Sequence, residues 1–495
     1  MGNGVFVCGR EWERYLVGWD LKIICPYHTV VLFWFWWYMP LIVLLGKFTT
    51  PQRRPTLKFA PDFAYLTDNL NRTPAKMGAL TPSQVQTIKS TVPVLAEHGN
   101  TITTKFYHDL LSVHPELKHV FNNTHQATGH QAQALAGALY AYAANIDDLG
   151  KLSPAVELIC HKHASLFVRA DQYDVVGKHL LETMQTVLGD AATPEILEAW
   201  SAAYWQLANV MIGKEDQLYQ ETSYWPDWKE FTITKKEKES EEITSFYLEP
   251  VDADLKLPVF KPGKYISVNV FVDELEGGVW QARQYSLSDA PGKQYLRISV
   301  KKEPGIEIGE PKYMTHAGYI SNLLHDTKNE GDVVKVSHPF GEFFFDAEEV
   351  DADAPVVLIS AGVGLTALTS IFNSLTAEKS DRPITWVQGA RNSKTRAFKT
   401  HFDQCAAANE NVHAVYYSST PGEEEVQGRD YTIKGRVDLD KIDRKYLHTD
   451  NGKTQYYCCG PTQFMLGVEA KLKSYGVPSE RVKMELFGTG GVPRV

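Results

Sequence analysis

Hydrophobic positions fall into four successive patterns along the chain. Ile23 to Gly46 contains no Asp, Glu, Lys or Arg, and Val30 to Leu45 is aliphatic or aromatic almost throughout, interrupted by Pro40. Such a run approaches the ~20 residues that span a bilayer. From Thr81 to Met211 the spacing becomes helical. Thr81-Pro82-Ser83-Gln84 offers a cap, a first-turn proline and a capping-box glutamine, and Val85, Ile88, Val92 and Leu95 continue one face. Further helices are predicted over Lys105–Leu111, Gln131–Tyr142, from Ser153 through Val156, Ile159 and His163, over Gln172–Leu188, and over Thr193–Met211 with Ile196, Trp200, Tyr204 and Leu207 in line.

The pattern then shortens to period two. Phe231–Glu249, Tyr265–Val272, Tyr285–Ser288, Tyr295–Lys301 and Val333–Val336 read as strands separated by glycine and proline, the composition of a small antiparallel barrel. Within the first, the mixed run Lys235–Glu242 reads as a solvated edge strand. From Pro355, buried-strand runs alternate with helical ones: Val356–Ile359, Ile384–Gly389, Val412–Tyr417 and Gln455–Cys459, the last followed by a helix carrying Met465, Val468 and Leu472. The predicted organisation is multidomain: an extension over 1–76, an all-α domain over 77–224, an antiparallel β-barrel over 227–347 and an α/β domain over 354–495.

A length of 495 residues with 43% apolar content supplies several cores, and a net charge of −10 excludes nucleic acid as the main partner. Six cysteines, with no C-x-x-C and no zinc or iron–sulfur spacing, point to a reducing compartment and leave redox chemistry to another bound cofactor. Lys47, Arg53, Arg54 and Lys58 follow the apolar run, which by the positive-inside rule would leave the remaining chain cytosolic. Three readings of the extension stay open: a membrane anchor, a buried or interfacial segment, or a non-native stretch upstream of a start at Met77. Localisation is accordingly cytoplasmic, or membrane-anchored with the other domains facing the cytosol.

Candidate chemistry begins at His163, which ends an apolar helical face behind Val156 and Ile159 and is either a haem ligand or a core histidine, while His161 faces elsewhere. Phe106-Tyr107, Pro115-Glu116-Leu117, Val120-Phe121-Asn122, Gly129-His130-Gln131 and Lys162-His163, in that order, resemble the globin domain of flavohaemoglobins. The resemblance implies haem b held by His163, with Phe121 and Lys162 at the haem pocket, Tyr107, Gln131 and Leu135 on the distal side, and Tyr173 and Glu215 bonded to the histidine.

Arg283-Gln284-Tyr285-Ser286 resembles the flavin signature of the ferredoxin-reductase family, with Pro262-Gly263-Lys264-Tyr265 upstream and the turn Gly318-Tyr319-Ile320-Ser321-Asn322 downstream. An arginine can pair with pyrophosphate and a tyrosine ring can lie on the isoalloxazine, so FAD is implied at Tyr265, Arg283, Gln284, Tyr285, Ser286, Gly318 and Ser321. Gly362-Val363-Gly364 and Thr366 open a helix whose first amides suit a phosphate, although Ala367 stands where the family has proline. Cys459-Gly460-Pro461 resembles the nicotinamide-side turn, and Glu485-Leu486-Phe487-Gly488 the segment whose ring covers the flavin. Arg391, Lys394 and Arg396 are candidate readers of a 2′-phosphate, leaving NADH and NADPH both open.

As a whole the resemblance implies a nitric oxide dioxygenase in which NAD(P)H reduces FAD, FAD reduces haem, and NO and O2 become nitrate, working as a monomer. A haem-based oxygen or redox sensor, and a membrane-associated reductase acting on quinone or hydroperoxide, are the alternatives.

Overall fold

The computed structural model describes residues 79–488 apart from 306, 309–311, 315 and 379–380, so the apolar stretch over 23–46 and Met77 lie outside the described residues. Among the described residues no helix is long and apolar enough to cross a membrane.

Helix α1 (Pro82–Ser90) opens on the expected capping box: Gln84 N donates to Thr81 Oγ1 at 3.2 Å, and Thr81 N donates back to Gln84 Oε1 at 2.9 Å. The run expected to continue through Val92 and Leu95 instead breaks at Thr91, and α2 (Val92–Val113) starts afresh with Pro93 in its first turn. Pro93 has no N–H to extend the ladder and its ring would strike the carbonyl four residues back. Five more helices follow: α3 (Asn123–Ala127), α4 (His130–Ala144), α5 (Ser153–Ser165), α6 (Ala170–Leu188) and α7 (Pro194–Glu221). Helix α7 runs well past Met211, since Glu215 and Leu218 still meet buried surroundings there. Ile102, Phe106, Leu110, Leu180, Met184 and Trp200 form the buried interior of this bundle. Each such side chain contributes about 1.5–3 kcal/mol.

Strands β1 (Lys229–Lys238), β2 (Ile243–Pro250), β3 (Tyr265–Val272), β4 (Val279–Ser286) and β5 (Leu296–Lys301) come next. They are followed by a two-residue pair, β6 (Glu307–Ile308) and β7 (Tyr313–Met314), by the short helix α8 (Tyr319–Asn322), and by β8 (Val333–Val336). The antiparallel order is β4-β3-β8-β1-β2-β5, and a bridge between Leu287 and Ile298 brings the two outer strands together. Alternate residues of these strands, among them Phe231, Ile233, Phe246, Ile266, Val268, Ile298 and Val336, fill the barrel.

Strand β1 keeps the edge role expected of Lys235–Glu242 only in its second half. Its first half pairs with both β8 and β2, and only Lys235–Lys238 is left with β2 alone. Glu239 to Glu242 have already turned out of the strand.

The last domain is a parallel sheet in the order β12-β11-β10-β9-β13-β14. Its elements are β9 (Val356–Ala361), α9 (Leu365–Ala377), β10 (Ile384–Ala390), α10 (Lys399–Ala408), β11 (Val412–Ser418), β12 (Ile433–Lys434), α11 (Arg444–Leu447), β13 (Gln455–Cys459), α12 (Thr462–Ser474) and β14 (Val482–Glu485). The chain winds outward from β9 through β10, β11 and β12, then returns to the other side of β9 as β13. That reversal opens a crevice beyond the strand ends, where such sheets take ligands. Trp386 stacks on Phe402 with centroids 3.9 Å apart in the core beneath. Phe343, Phe345 and Ile243 join that same core from the barrel side, so the barrel and the α/β domain are packed together across the predicted 347/354 boundary.

Candidate redox site

The sequence sets His163 in the last turn of α5, and the fold surrounds one of its ring nitrogens. His163 Nδ1 lies 2.8 Å from Glu215 Oε1 and 3.0 Å from the Tyr173 hydroxyl, which itself donates to Glu215 Oε1 at 2.7 Å. Glu215 is 2% exposed, so no competing water dilutes this network. Burial, then the Glu215 charge, drives the Tyr173 phenol far above its ordinary range, which keeps it a donor. Tyr204 donates to the Tyr173 carbonyl at 2.6 Å and fixes that segment. With Nδ1 held as the N–H, Nε2 is the basic nitrogen, and it has no protein partner among the described residues. His161 is excluded from the same task. Its Nδ1 accepts from Gly341 N at 3.3 Å, its Nε2 lies 3.2 Å from Glu157, and burial followed by the Lys264 charge lowers its basicity.

Tyr107 (α2) is buried, and its ring meets Phe121 edge-on at 5.5 Å. Burial raises its pKa, opposed by a hydrogen bond from Gln131. Gln126 Nε2 donates to Gln131 Oε1 at 3.0 Å, so the Gln131 oxygen is engaged and its NH2 is the group left to interact with Tyr107. Sequence reading missed Gln126, because a glutamine five residues from another carries no pattern. Leu135, Phe121, Val156, Ile159 and Leu207 remain only partly buried. A basic Nε2 beside such apolar side chains fits a haem.

Helix α3 ties this pocket to the barrel. Gln281 (β4) donates to Lys118 O at 2.8 Å and Phe121 O at 3.1 Å and accepts from Asn123 N at 3.1 Å. On the same strand Arg283 meets only neutral acceptors: Ala282 O at 2.7 Å, Thr124 Oγ1 at 3.3 Å and Gln281 Oε1 at 3.4 Å. Desolvation lowers its pKa, and it makes no ion pair among the described residues. A partly buried guanidinium without a carboxylate suits a pyrophosphate, so the donor set fits FAD. The Tyr265 hydroxyl is likewise buried without a hydrogen-bond partner. Gln284 reaches the globin side and donates to Ser165 Oγ, two residues beyond His163, at 3.1 Å. Ser286 is buried, Tyr285 partly so. Ser321 Oγ instead works within its own turn, donating to Gly318 O at 3.2 Å and accepting from Glu303 N at 3.3 Å.

The crevice of the α/β domain is a cleft of about 680 Å³ whose walls include Gly362, Val363 and Pro461. Gly362 has φ +58°, and a Cβ on Gly364 would lie 2.2 Å from Cys459 O, so both glycines are required where the β9 turn crosses the end of β13. Thr366 Oγ1 donates to Val363 O at 3.1 Å and stays inside the turn. Ala367 is fully buried in the first turn of α9, which forms without the proline.

Cys459 Sγ contacts Glu485 O at 3.3 Å, and Lys162 Nζ donates to Gly488 O at 2.6 Å, so the segment bearing Phe487 is tied to the helix of His163. Glu485 and Glu342 each bury an oxygen that has no hydrogen-bond partner. Burial, then their mutual repulsion, raises Glu485 well above the usual carboxylate range, and burial raises Glu342 as well. Of the three basic candidates, Arg396 is buried and bonds Tyr417 O at 2.9 Å and Ser418 Oγ at 2.7 Å, which makes it a clamp between β10 and β11. Arg391 is paired with Glu242.

A globin family model matches residues 104–211, and an oxidoreductase NAD-binding domain matches residues 358–470. A flavohemoprotein from Bordetella parapertussis is 46% identical over 418 residues, which are 83% of this chain and 100% of that relative. The chain belongs to the flavohemoprotein family. Another family member, from Rhizobium meliloti, is 43% identical over 83% of this chain and 98% of its own. The crystal structure of a flavohemoglobin from Malassezia yamatoensis, with FAD and heme bound, aligns with a TM-score of 0.71 at 27% identity, covering 83% of this chain and 100% of that one. The all-α, antiparallel-barrel and α/β parts are thus the globin and the two reductase domains of a flavohemoprotein.

Proposed function

We propose that this flavohemoprotein is a nitric oxide dioxygenase that converts NO and O2 to nitrate with electrons from NAD(P)H. The balance is two NO and two O2 with one NAD(P)H, giving two nitrates, NAD(P)+ and a proton. When bound, FAD divides a hydride into single electrons and haem b supplies the iron where the two gases meet. The protein's contribution is positioning and electrostatics.

The observation that carries the reading is the His163–Tyr173–Glu215 network on the helix that also meets the flavin strand. His163 would hold the iron through Nε2, and Glu215, accepting at Nδ1, makes the imidazole a stronger electron donor. A sequestered carboxylate of this kind suits oxygen activation better than plain storage. Tyr107 would offer its hydroxyl proton on the distal side with Gln131 behind it, and Phe121 and Leu135 would limit the entry of water there. Arg283 and Tyr285, with Tyr265, Gln284, Ser286, Gly318 and Ser321 around them, would seat FAD. Gly362–Gly364, Thr366 and Cys459–Pro461 would receive the nucleotide, with Phe487 and Gly488 over the flavin. Lys162 and Glu485 set the charge between the two centres. O2 and NO are its proposed small-molecule partners, and a monomer its proposed working state.

NADH oxidation in air, with and without NO, tests the reading on the full chain holding both cofactors. NO should accelerate turnover and be consumed only while O2 remains. Turnover indifferent to NO but raised by a quinone or hydroperoxide would replace this reading with the reductase alternative.

A further inference from the structure

Glu242 belongs to no expected site, yet the fold places it in the wall of the nucleotide cleft, where it pairs with Arg391 from the other domain. Arg391 directly follows β10, the strand beside β9. In sheets of this type the end of that neighbouring strand is where the adenosine ribose is read: a carboxylate there accepts from a free 2′-hydroxyl, and an arginine accommodates a 2′-phosphate. This chain supplies both groups, the arginine from the α/β domain and the carboxylate from the loop before β2 of the barrel. We propose that Glu242 and Arg391 together read the 2′ position of the pyridine nucleotide, with Glu242 selecting NADH by neutralising Arg391 and repelling a 2′-phosphate. This rests on the cleft being the NAD(P)H site.

The pair is well suited to discrimination and poorly suited to a rigid latch. The Arg391 and Glu242 side chains are 61% and 30% exposed, so their attraction is screened and weak. A phosphate dianion can therefore draw Arg391 away. Glu242 would then sit unpaired beside that phosphate, and like-charge contact is the usual device for rejecting a wrong ligand. The other basic candidates do not replace Arg391 here. Arg396 is spent on β11, and Lys301 and Lys471 of the same cleft wall pair with Glu303 and Asp440. Arg436, also in the wall, is the remaining competitor.

Titration calorimetry with NAD+ and NADP+, which differ only in the 2′-phosphate, tests the proposal on the full chain with haem and FAD bound. Wild type should favour NAD+, Glu242→Gln should shift the affinity ratio toward NADP+ by about tenfold, and adding Arg391→Ala should cancel that shift. A ratio unmoved by Glu242→Gln, or a shift that survives loss of Arg391 but not Arg436→Ala, would overturn it. Failure of wild type to bind either nucleotide would instead overturn the reading of the cleft, and the proposal with it.

Discussion

Two carboxylates with buried oxygens lie near the helix that carries His163, and the protein treats them differently. Glu215 has its donors in place, a phenol and an imidazole N–H converging on one oxygen. Glu485 buries an oxygen with no donor, beside Glu342 which also buries one, and the charge of Lys162 offsets them in part. An unsatisfied buried acceptor is costly, whereas one supplied with donors is rigid and orients what it touches. The proximal pocket is thus organised by the chain alone. At the junction of the three domains, burial and the neighbouring Glu342 instead favour the neutral form of Glu485.

The largest effect expected from breaking this contrast is at the histidine itself. His163→Ala should purify with its flavin absorbance and without haem absorbance, since the flavin strand belongs to another domain. A ferrous-CO spectrum like that of wild type would remove His163 from its role. Next, Glu215→Gln keeps the shape and weakens the acceptor, and such changes behind a metal ligand cost about 10–100-fold. NO consumption should fall by that order while NADH-to-flavin transfer, followed by stopped flow, keeps its rate.

Tyr107→Phe should raise oxygen dissociation from the ferrous protein. A hydrogen bond to a charge-bearing ligand is worth about 1.5–3 kcal/mol, or roughly 10–100-fold, and Gln131 should hold the effect to the lower part of that range. Equal off-rates would mean that the tyrosine only packs.

The smallest effect concerns the junction and appears as pH dependence. Glu485 has a folded pKa raised above its ordinary value of 4.5. The native state therefore binds more protons than the unfolded one between those two values, and stability falls as pH rises through that window. Glu485→Gln should flatten the fall in melting temperature of the reductase part as pH rises from below 4.5 toward neutrality. A slope equal to that of wild type would show that the carboxyl finds a donor in solution.

Much of the molecule was legible because its signals are local. The Thr81 capping box, the face ending at His163, and the period-two strands follow from spacings within one or two turns of chain. Pro93 already carried the break after Thr91, but helical periodicity outvoted it. The buried end of α7 was legible only through the family resemblance, because nothing within one or two turns of Glu215 shows its partners on α5 and α6. Glu242 was not legible at all: its partner lies 149 residues away, and its neighbours Glu239 and Glu241 made the run look merely solvated. Arg396 shows the converse, since arginines in loops usually face water and this one is buried against strand carbonyls.

Isotope labelling tests most directly whether the pocket around His163 and Tyr107 serves a dioxygenase. With NADH, NO and 18O2 supplied to the full chain holding haem and FAD, both atoms of each consumed O2 should appear in nitrate, with two nitrates formed per NADH. Nitrate carrying one labelled oxygen or none, or NADH consumed without nitrate, would contradict it.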